Sequence, residues 1–179
     1  MDEAFIKKVQ PNSPEAEQSV IGAMIMDRDA IADVIDIVSA DDFYQKQNGI
    51  LFEAMTELYR EGKPVDLVTL QNKLKKKDVP ESMKSLEFIR DLLEAVPTSA
   101  NAKQYAKIVS EKATLRKLIK VTEDITTECY LGKDDVTEIL DHTEKNVFGL
   151  LQQASGREDF VPIDKVVLNT LDAIEEAAS

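Results

Sequence analysis

The stretch PNSPEAEQSVIGAMIMD, residues 11–27, sets the pattern from which the fold can be predicted. Ser13 precedes Pro14, an order typical of a helix start, because serine caps the first turn and proline loses no hydrogen bond at the first helical position. Glu15 follows in the first turn, where the helix dipole favours an acid. Apolar residues then recur at helical spacing, namely Val20, Ile21, Met24 and Ile25. The stretch predicts a helix with one buried face.

Similar patterns continue along the first half of the chain. We expect four further helices here, at about residues 30–38, 47–61, 67–74 and 85–96. Asp66 is placed to cap the third of them. Gly62 and Pro97 are expected to end two others, because glycine accepts the left-handed conformation of a helix end and proline cannot continue a helix. The sequence therefore predicts an all-α fold, with a flexible arm over residues 1–12 and a compact helical bundle over residues 13–98.

A long antiparallel helical hairpin is predicted over residues 99–154. Apolar side chains from Tyr105 to Cys129 cover about half of the first helix, Gly132 ends it, and Asp135 with Glu138 has capping-box spacing for the second. The residues that recur in steps of three and four on the second helix are Val136, Leu140, Thr143, Val147, Leu150 and Leu151. Because each helix is apolar over more than a narrow stripe, the two helices cannot cover each other's apolar surfaces. The pattern implies a partner.

The end of the chain predicts a linker over residues 155–162 and a short helix over residues 163–179. Gly156 and Pro162 interrupt the linker, and Asp164 can cap the helix. The helix carries an apolar face with Val167, Leu171 and Ile174. Packing of this face on its own domain and docking on another subunit are both compatible with the sequence.

Composition and charge restrict the class of protein. The 179 residues are 43% apolar and 31% charged, and no apolar run approaches the roughly 20 residues of a membrane-spanning helix, so we expect a soluble cytoplasmic protein. The single cysteine suits a reducing compartment. A net charge of −12 argues that this chain binds DNA only weakly or not at all. Bases concentrate at 103–120 and acids at 123–159, which indicates either two solvated faces or complementary packing of the two segments.

Residues for catalysis or for cofactor and metal binding are not evident. The six glycines are never closer than seven residues apart, which excludes a phosphate-binding loop. Cys129 and His142 match no common zinc pattern, and we expect a buried, unreactive thiol and an exposed imidazole near Glu138. The adjacent acids, Asp41 with Asp42 and Asp134 with Asp135, are expected to cap helices rather than to share acid and base roles.

Three parts of the sequence, in this order, resemble the N-terminal domain of the bacterial replicative DNA helicase, the DnaB family. The first is residues 11–27. The second is DDFY at 41–44 followed by GKPVDLVTL at 62–70, and the third is AVPTSAN at 95–101 followed by YAKIVSEKATLRKLI at 105–119. Together they are spread over residues 11–119. The family usually has two glycines where this chain has Lys84 and Ser85, so the resemblance does not predict the geometry of the turn at that point.

The resemblance implies a collar domain that is not catalytic by itself. In the family this domain forms dimers and a hexamer of three dimers through the hairpin, binds the C-terminal helicase-binding domain of primase, and in some cases meets a helicase loader. The ATPase domain, with its ATP and Mg²⁺, would follow residue 179, and the linker helix would pack on a neighbouring subunit.

The resemblance also implies roles for individual residues. The positions that match the primase-facing surface are Glu15, Phe88, Ile119 and Ile125, with Phe88 where tyrosine is common. For Ile119 and Ile125, a place in the hairpin core is an equal alternative. The residues expected in the oligomer contact of the hairpin are Leu115, Leu118, Leu140, Val147 and Leu151. The rival interpretations are a nucleic-acid-binding protein that uses the basic segment and a helical carboxylate metalloprotein, which would need several ExxH pairs where only one histidine exists.

Overall fold

The computed structural model describes residues 9–94, 100–133 and 135–155, and this part of the chain is all-α, as predicted. Its α-helices are α1 Pro14–Met26, α2 Arg28–Ile35, α3 Lys46–Arg60, α4 Leu67–Lys75, α5 Leu86–Glu94, α6 Ala102–Leu131 and α7 Val136–Ser155. Short 3₁₀ turns lie at Ala40–Asp42 and Glu81–Lys84. We call α1–α5 the head, and α6 with α7 the hairpin. None of the helices in the described ranges combines the length and the apolar character that crossing a membrane would require.

The helix boundaries follow from local capping. The Ser13 hydroxyl accepts the Ala16 N–H at the start of α1, and Asp66 accepts the backbone N–H groups of Val68 and Thr69, both at 2.9 Å. The N–H of Thr69 is the main reason why the pKa of Asp66 lies below its ordinary value. These predicted caps are confirmed. α2 begins two residues earlier than predicted, because Asp27 ends α1 and also caps α2.

Glycine ends two helices in the predicted way. Gly62 follows α3 with φ of 69°, and Gly132 follows α6 with φ of 55°. Both angles are in the left-handed region, which glycine reaches without the clash of a Cβ atom.

The hydrophobic core lies in the head and includes the first turns of α6. Large apolar side chains from α1, α3 and α4 are fully buried, among them Ile21, Met24, Leu51, Met55, Leu70 and Leu74. The buried residues of α6 are mostly small, namely Ala102, Ala106, Val109 and Ala113. Small side chains let α6 approach the head closely. We call residues 102–113 the root of α6.

Ion pairs join α3 to α4. Lys73 Nζ lies 2.9 Å from Glu57 and 2.7 Å from Glu61, and Lys77 Nζ lies 2.7 Å from Glu57. Hydrogen bonds from Lys63 and then Lys73 lower the pKa of Glu61 to about 2. Hydrogen bonds from Lys77 and then Lys73 lower the pKa of Glu57. Lys73 in α4 and Lys77 just after it therefore hold α4 against α3.

Outside the root, the hairpin stands away from the core. None of the residues 114–133 and 135–152 is buried. The half-buried residues of α7 include Ile139, Thr143, Val147 and Leu150, whereas Val136, Leu140 and Leu151 of the predicted series are exposed. Both the half-buried set, which forms the inner stripe of α7, and the exposed set recur at a spacing of three and four residues, because α7 is apolar over more than one stripe. Only the contact with α6 selects the inner stripe.

The prediction of a buried thiol is wrong. Cys129 is exposed, since it lies near the end of α6 where no head element covers it. His142 is exposed as predicted, but its Nδ1 lies 3.9 Å from Glu128 of α6. Glu128 is thus a neighbour from the other helix of the hairpin, in addition to Glu138, which precedes His142 by four residues on α7.

Candidate interaction surface

Large apolar side chains are exposed on both helices of the hairpin. Five of them, between 42% and 62% exposed, are Leu115 and Leu118 on α6 and Leu140, Phe148 and Leu151 on α7. We use the term exposed apolar face for these five residues. Apolar area in water favours association, because burying it contributes about 25 cal/mol per Å². The hairpin therefore presents a surface suited to another protein surface rather than to water.

Four of the five predicted oligomer residues belong to this face. Leu115, Leu118, Leu140 and Leu151 are exposed, whereas Val147 is half-buried. Phe148 was not predicted, although it follows Val147 directly and adds the largest side chain of the face. The structure thus makes these residues available for contact, and their role stays a prediction.

The residues predicted to face primase are divided between the head and the hairpin. Glu15 is exposed at the start of α1, and Phe88 is half-buried on α5, where it packs against the core. Ile119 and Ile125 are half-buried on α6, beyond the root. Half-burial is compatible with both roles proposed for the isoleucines. The linker-helix residues Val167, Leu171 and Ile174 lie outside the described residues.

A buried carboxylate that the sequence reasoning missed organises the loop between α2 and α3. Glu17 is 2% exposed. One of its oxygens accepts the Tyr44 N–H at 2.7 Å, and the other accepts the Gln45 N–H and the Asn48 Nδ2 group, both at 3.1 Å. The signal was present, because Glu17 precedes Val20 and Ile21 by three and four residues on the buried face of α1.

Asp42 forms a second junction, between this loop and α6. Its side chain is buried, and one oxygen accepts the backbone N–H and the hydroxyl of Ser39, both at 2.8 Å. Asp42 therefore takes part in a capping box, as the third residue of the 3₁₀ turn and not from a position ahead of a helix as expected. The other oxygen lies 2.8 Å from Lys117 Nζ, a contact that the sequence did not predict.

Arg116 adds two further contacts between α6 and the head. Its guanidinium donates to the carbonyl oxygen of Pro11 at 2.7 Å and to the carbonyl oxygen of Asp42 at 2.5 Å. The same group lies over the Tyr44 ring, 5.7 Å from its centre. Two bases of the segment 103–120 thus bind the head, an arrangement that differs from both interpretations of the basic segment.

The described residues contain no group of three histidine, cysteine, aspartate or glutamate side chains that could hold a metal ion.

A family model for the DnaB-like helicase N-terminal domain matches residues 9–111, which include the head and most of the root of α6. The chain belongs to this family. The chain is 34% identical over 175 residues to the replicative DNA helicase DnaB of Geobacillus stearothermophilus, and the match covers 98% of this chain and 38% of that relative.

Other DnaB-family proteins give the same result. The replicative DNA helicase DnaC of Bacillus subtilis is 34% identical over 176 residues, and the match covers 98% of this chain. The chain spans 38% of the length of both relatives. A crystal structure of the N-terminal domain of DnaB helicase from Mycobacterium tuberculosis has 34% identity and a TM-score of 0.75, covering 79% of this chain and 99% of that one.

A more distant structure shares the fold. It is the N-terminal domain of DnaB helicase from Helicobacter pylori, which was described together with its interactions with primase. It has 24% identity and a TM-score of 0.57, and the match covers 65% of this chain and 90% of that one.

Proposed function

We propose that this domain is the collar of a replicative helicase, which joins copies of itself through the hairpin and docks primase. The copies form dimers and then a hexamer, and primase binds through its C-terminal helicase-binding domain. The domain catalyses no reaction and holds no cofactor, while ATP and Mg²⁺ serve a motor domain elsewhere in the helicase. A helicase loader is a further candidate partner.

The exposed apolar face is the observation that carries self-association. A leucine side chain that becomes fully buried contributes about 1.5 to 3 kcal/mol. Leu115, Leu118, Leu140 and Leu151 are each about half exposed, so covering all four in two copies adds several such partial contributions. This sum must exceed the free energy lost when two molecules become one.

Support for primase docking comes from the comparisons and from the exposure of the residues predicted to face primase. The relatives are replicative helicases, and the Helicobacter pylori domain with this fold was described with its interactions with primase. Glu15 is exposed, and Phe88, Ile119 and Ile125 retain partial exposure, so each can contribute to a docking surface.

Loss of the exposed apolar face is expected to prevent self-association. The parent chain at tens of micromolar should have a mass by light scattering that is a multiple of 20.0 kDa. Leu140→Ser combined with Leu151→Ser should shift the dissociation constant at least 100-fold, because each lost leucine burial is equivalent to about a tenfold change or more. Val68→Ser, on an exposed apolar residue of the head, is the control and should leave the mass unchanged. A parent chain that remains a 20 kDa monomer would contradict self-association.

Truncation of Ile119 or Ile125 is expected to weaken primase binding. Calorimetric titration with the cognate primase C-terminal domain should give heat with the parent chain and about tenfold weaker binding with Ile119→Ala or Ile125→Ala, as for an interface hot spot. Val68→Ala serves as the control. If the titration of the folded parent chain shows no heat, primase docking fails. If the alanine variants bind normally but unfold more easily, the two isoleucines belong to the hairpin core.

A further inference from the structure

We propose that Arg116 and Lys117, with their acceptors Pro11 and Asp42, form a polar latch that sets the direction in which the hairpin leaves the head. The latch thereby controls whether the two parts of the primase-facing surface are presented together. This second consequence rests on the proposed function. The first consequence, the direction of the hairpin, concerns the geometry of the domain alone.

The apolar contact at the root of α6 does not fix this direction strongly. Its buried residues are Ala102, Ala106, Val109 and Ala113. Directional packing of helices depends on side-chain ridges that enter grooves, and alanines form low ridges. Tyr105 and Ile108 of the root also pack against the core but stay partly exposed, so the fully buried part of this contact is made mostly by alanine and gives the helix direction limited support.

Small movements at the root become large at the tip. α6 continues from Ala113 to Leu131, which is about 27 Å at 1.5 Å per residue. Over that length a rotation of about 10° moves the tip by roughly 5 Å. None of the residues 114–133 is buried, so core packing does not support this part of the helix.

The latch lies where such rocking would begin. Arg116 and Lys117 follow Ala113 by about one turn, and each makes a directional, charge-assisted bond. The guanidinium is a planar fork, and its two nitrogens reach carbonyl groups of two separate segments, Pro11 at 2.7 Å and Asp42 at 2.5 Å. Lys117 Nζ lies 2.8 Å from the Asp42 carboxylate. Rocking of α6 would lengthen at least one of these bonds.

The acceptor Asp42 is itself held in place. The Asp42 carboxylate accepts hydrogen bonds from the backbone N–H and the hydroxyl of Ser39. Two and three residues later in the same loop, the backbone N–H groups of Tyr44 and Gln45 donate to the buried Glu17 of α1. A bond to a fixed acceptor restricts the donor helix more than a bond to a mobile side chain would. The latch therefore connects α6 to a rigid part of the head.

The latch also lies between the two parts of the primase-facing surface, one on the head and one on the hairpin. Glu15 follows the Pro11 acceptor by four residues on the head side, and Ile119 follows Lys117 by two residues on the hairpin. A partner that contacts both must find them at a defined separation. Loosening the latch would spread that separation over many values and lower the population that is ready to bind.

The distance between the head and the hairpin tests the latch directly. Cys129 is exposed, is the only cysteine, and takes one spin label; Asp33→Cys on α2 takes the other. Pulsed electron resonance on labelled chains diluted with unlabelled chains then reports the separation within one copy. We expect a narrow distribution in the otherwise unchanged chain and at least twice its width after Arg116→Gln with Lys117→Met. Lys120→Met, an exposed base one turn later, is the matched control and should keep the narrow distribution.

Two further variants keep the test decisive. Arg116→Lys retains the charge but loses the fork, so it should broaden the distribution to a smaller degree. If the double variant does not fold by circular dichroism, Lys117→Met alone carries the test, because the Lys117 side chain is 37% exposed. An unchanged distribution in a folded latch variant would overturn the proposal.

Primase titration separates this inference from the proposed function. Where the parent chain binds the primase C-terminal domain, the double latch variant should bind about tenfold more weakly although Glu15, Ile119 and Ile125 are intact. Equal affinity would overturn the second consequence of the latch. If the parent chain does not bind primase, the proposed docking fails, and the distance measurement still decides whether the latch sets the hairpin direction.

Discussion

Glu17→Ala is expected to destabilise the domain by about 3 to 5 kcal/mol, since one buried donor and two partly buried donors would lose their acceptor, at about 1 to 3 kcal/mol for a buried group and less for the other two. The donors are the backbone N–H groups of Tyr44 and Gln45 and the side chain of Asn48. Domains of this kind are stable by only about 5 to 15 kcal/mol. A large part of the free energy of unfolding would therefore be lost. Urea unfolding at one fixed protein concentration measures the change, because self-association also contributes to the apparent stability.

Two comparisons identify the cause of this effect. Glu17→Gln keeps the shape of the side chain, but its NH₂ group would face donors where the carboxylate oxygen accepts two hydrogen bonds. We expect it to be destabilising as well, although less than alanine. Glu15→Ala changes an exposed acid two residues earlier and should cost less than about 1 kcal/mol, the size of a helix-dipole contribution. A Glu17→Ala variant as stable as the Glu15→Ala variant would contradict the structural role of the buried carboxylate.

The helix ends were predictable because each depends on a few neighbouring residues. Ser13 and Asp66 accept backbone N–H groups two or three residues ahead, and Gly62 and Gly132 supply the left-handed conformation immediately after a helix. These interactions are nearly independent of the rest of the fold. The sequence was therefore sufficient to place α1, α3, α4 and the turn of the hairpin.

The rotation of a helix about its own axis was less predictable. On α7 the series with Leu140 and the series with Ile139 both recur at helical spacing, and only the contact with α6 decides which is half-buried. The exposure of Cys129 has the same origin. Its position on an apolar face indicated burial, but the surface that would cover this face is not supplied by the described part of the chain.

The polar contacts of the candidate site were beyond prediction because their partners are far apart in sequence. Asn48 lies 31 residues from Glu17, and Pro11 lies 105 residues from Arg116. A charged residue on an apolar face, such as Glu17, can be recognised from the sequence as unusual. Its partners become known only when the fold brings the loop between α2 and α3 against α1 and α6.

Gly49→Ala is the second substitution with a large expected effect. A Cβ atom at this position in α3 would lie 2.6 Å from the carbonyl oxygen of Ala40. That oxygen belongs to the backbone of the 3₁₀ turn Ala40–Asp42, so it cannot move away as a flexible side chain would. Overpacking of this kind costs about 1 to 3 kcal/mol, and sometimes more. Because alanine favours a helix over glycine by about 1 kcal/mol, which offsets part of the clash, we expect a net destabilisation of up to about 2 kcal/mol.

The same substitution in α7 provides the control, and the two variants are expected to differ in sign. A Cβ atom added at Gly149 meets nothing within 4 Å, so Gly149→Ala should gain the helix preference of alanine, about 0.5 to 1 kcal/mol, without a clash. Urea unfolding of both variants beside the parent chain measures the difference. If Gly49→Ala were as stable as Gly149→Ala, α3 and the Ala40–Asp42 turn would have to be farther apart than this structure shows. Opposite signs would instead establish that glycine at position 49 is required by the close approach of the two backbones, and that glycine at position 149 is not required by packing within one copy.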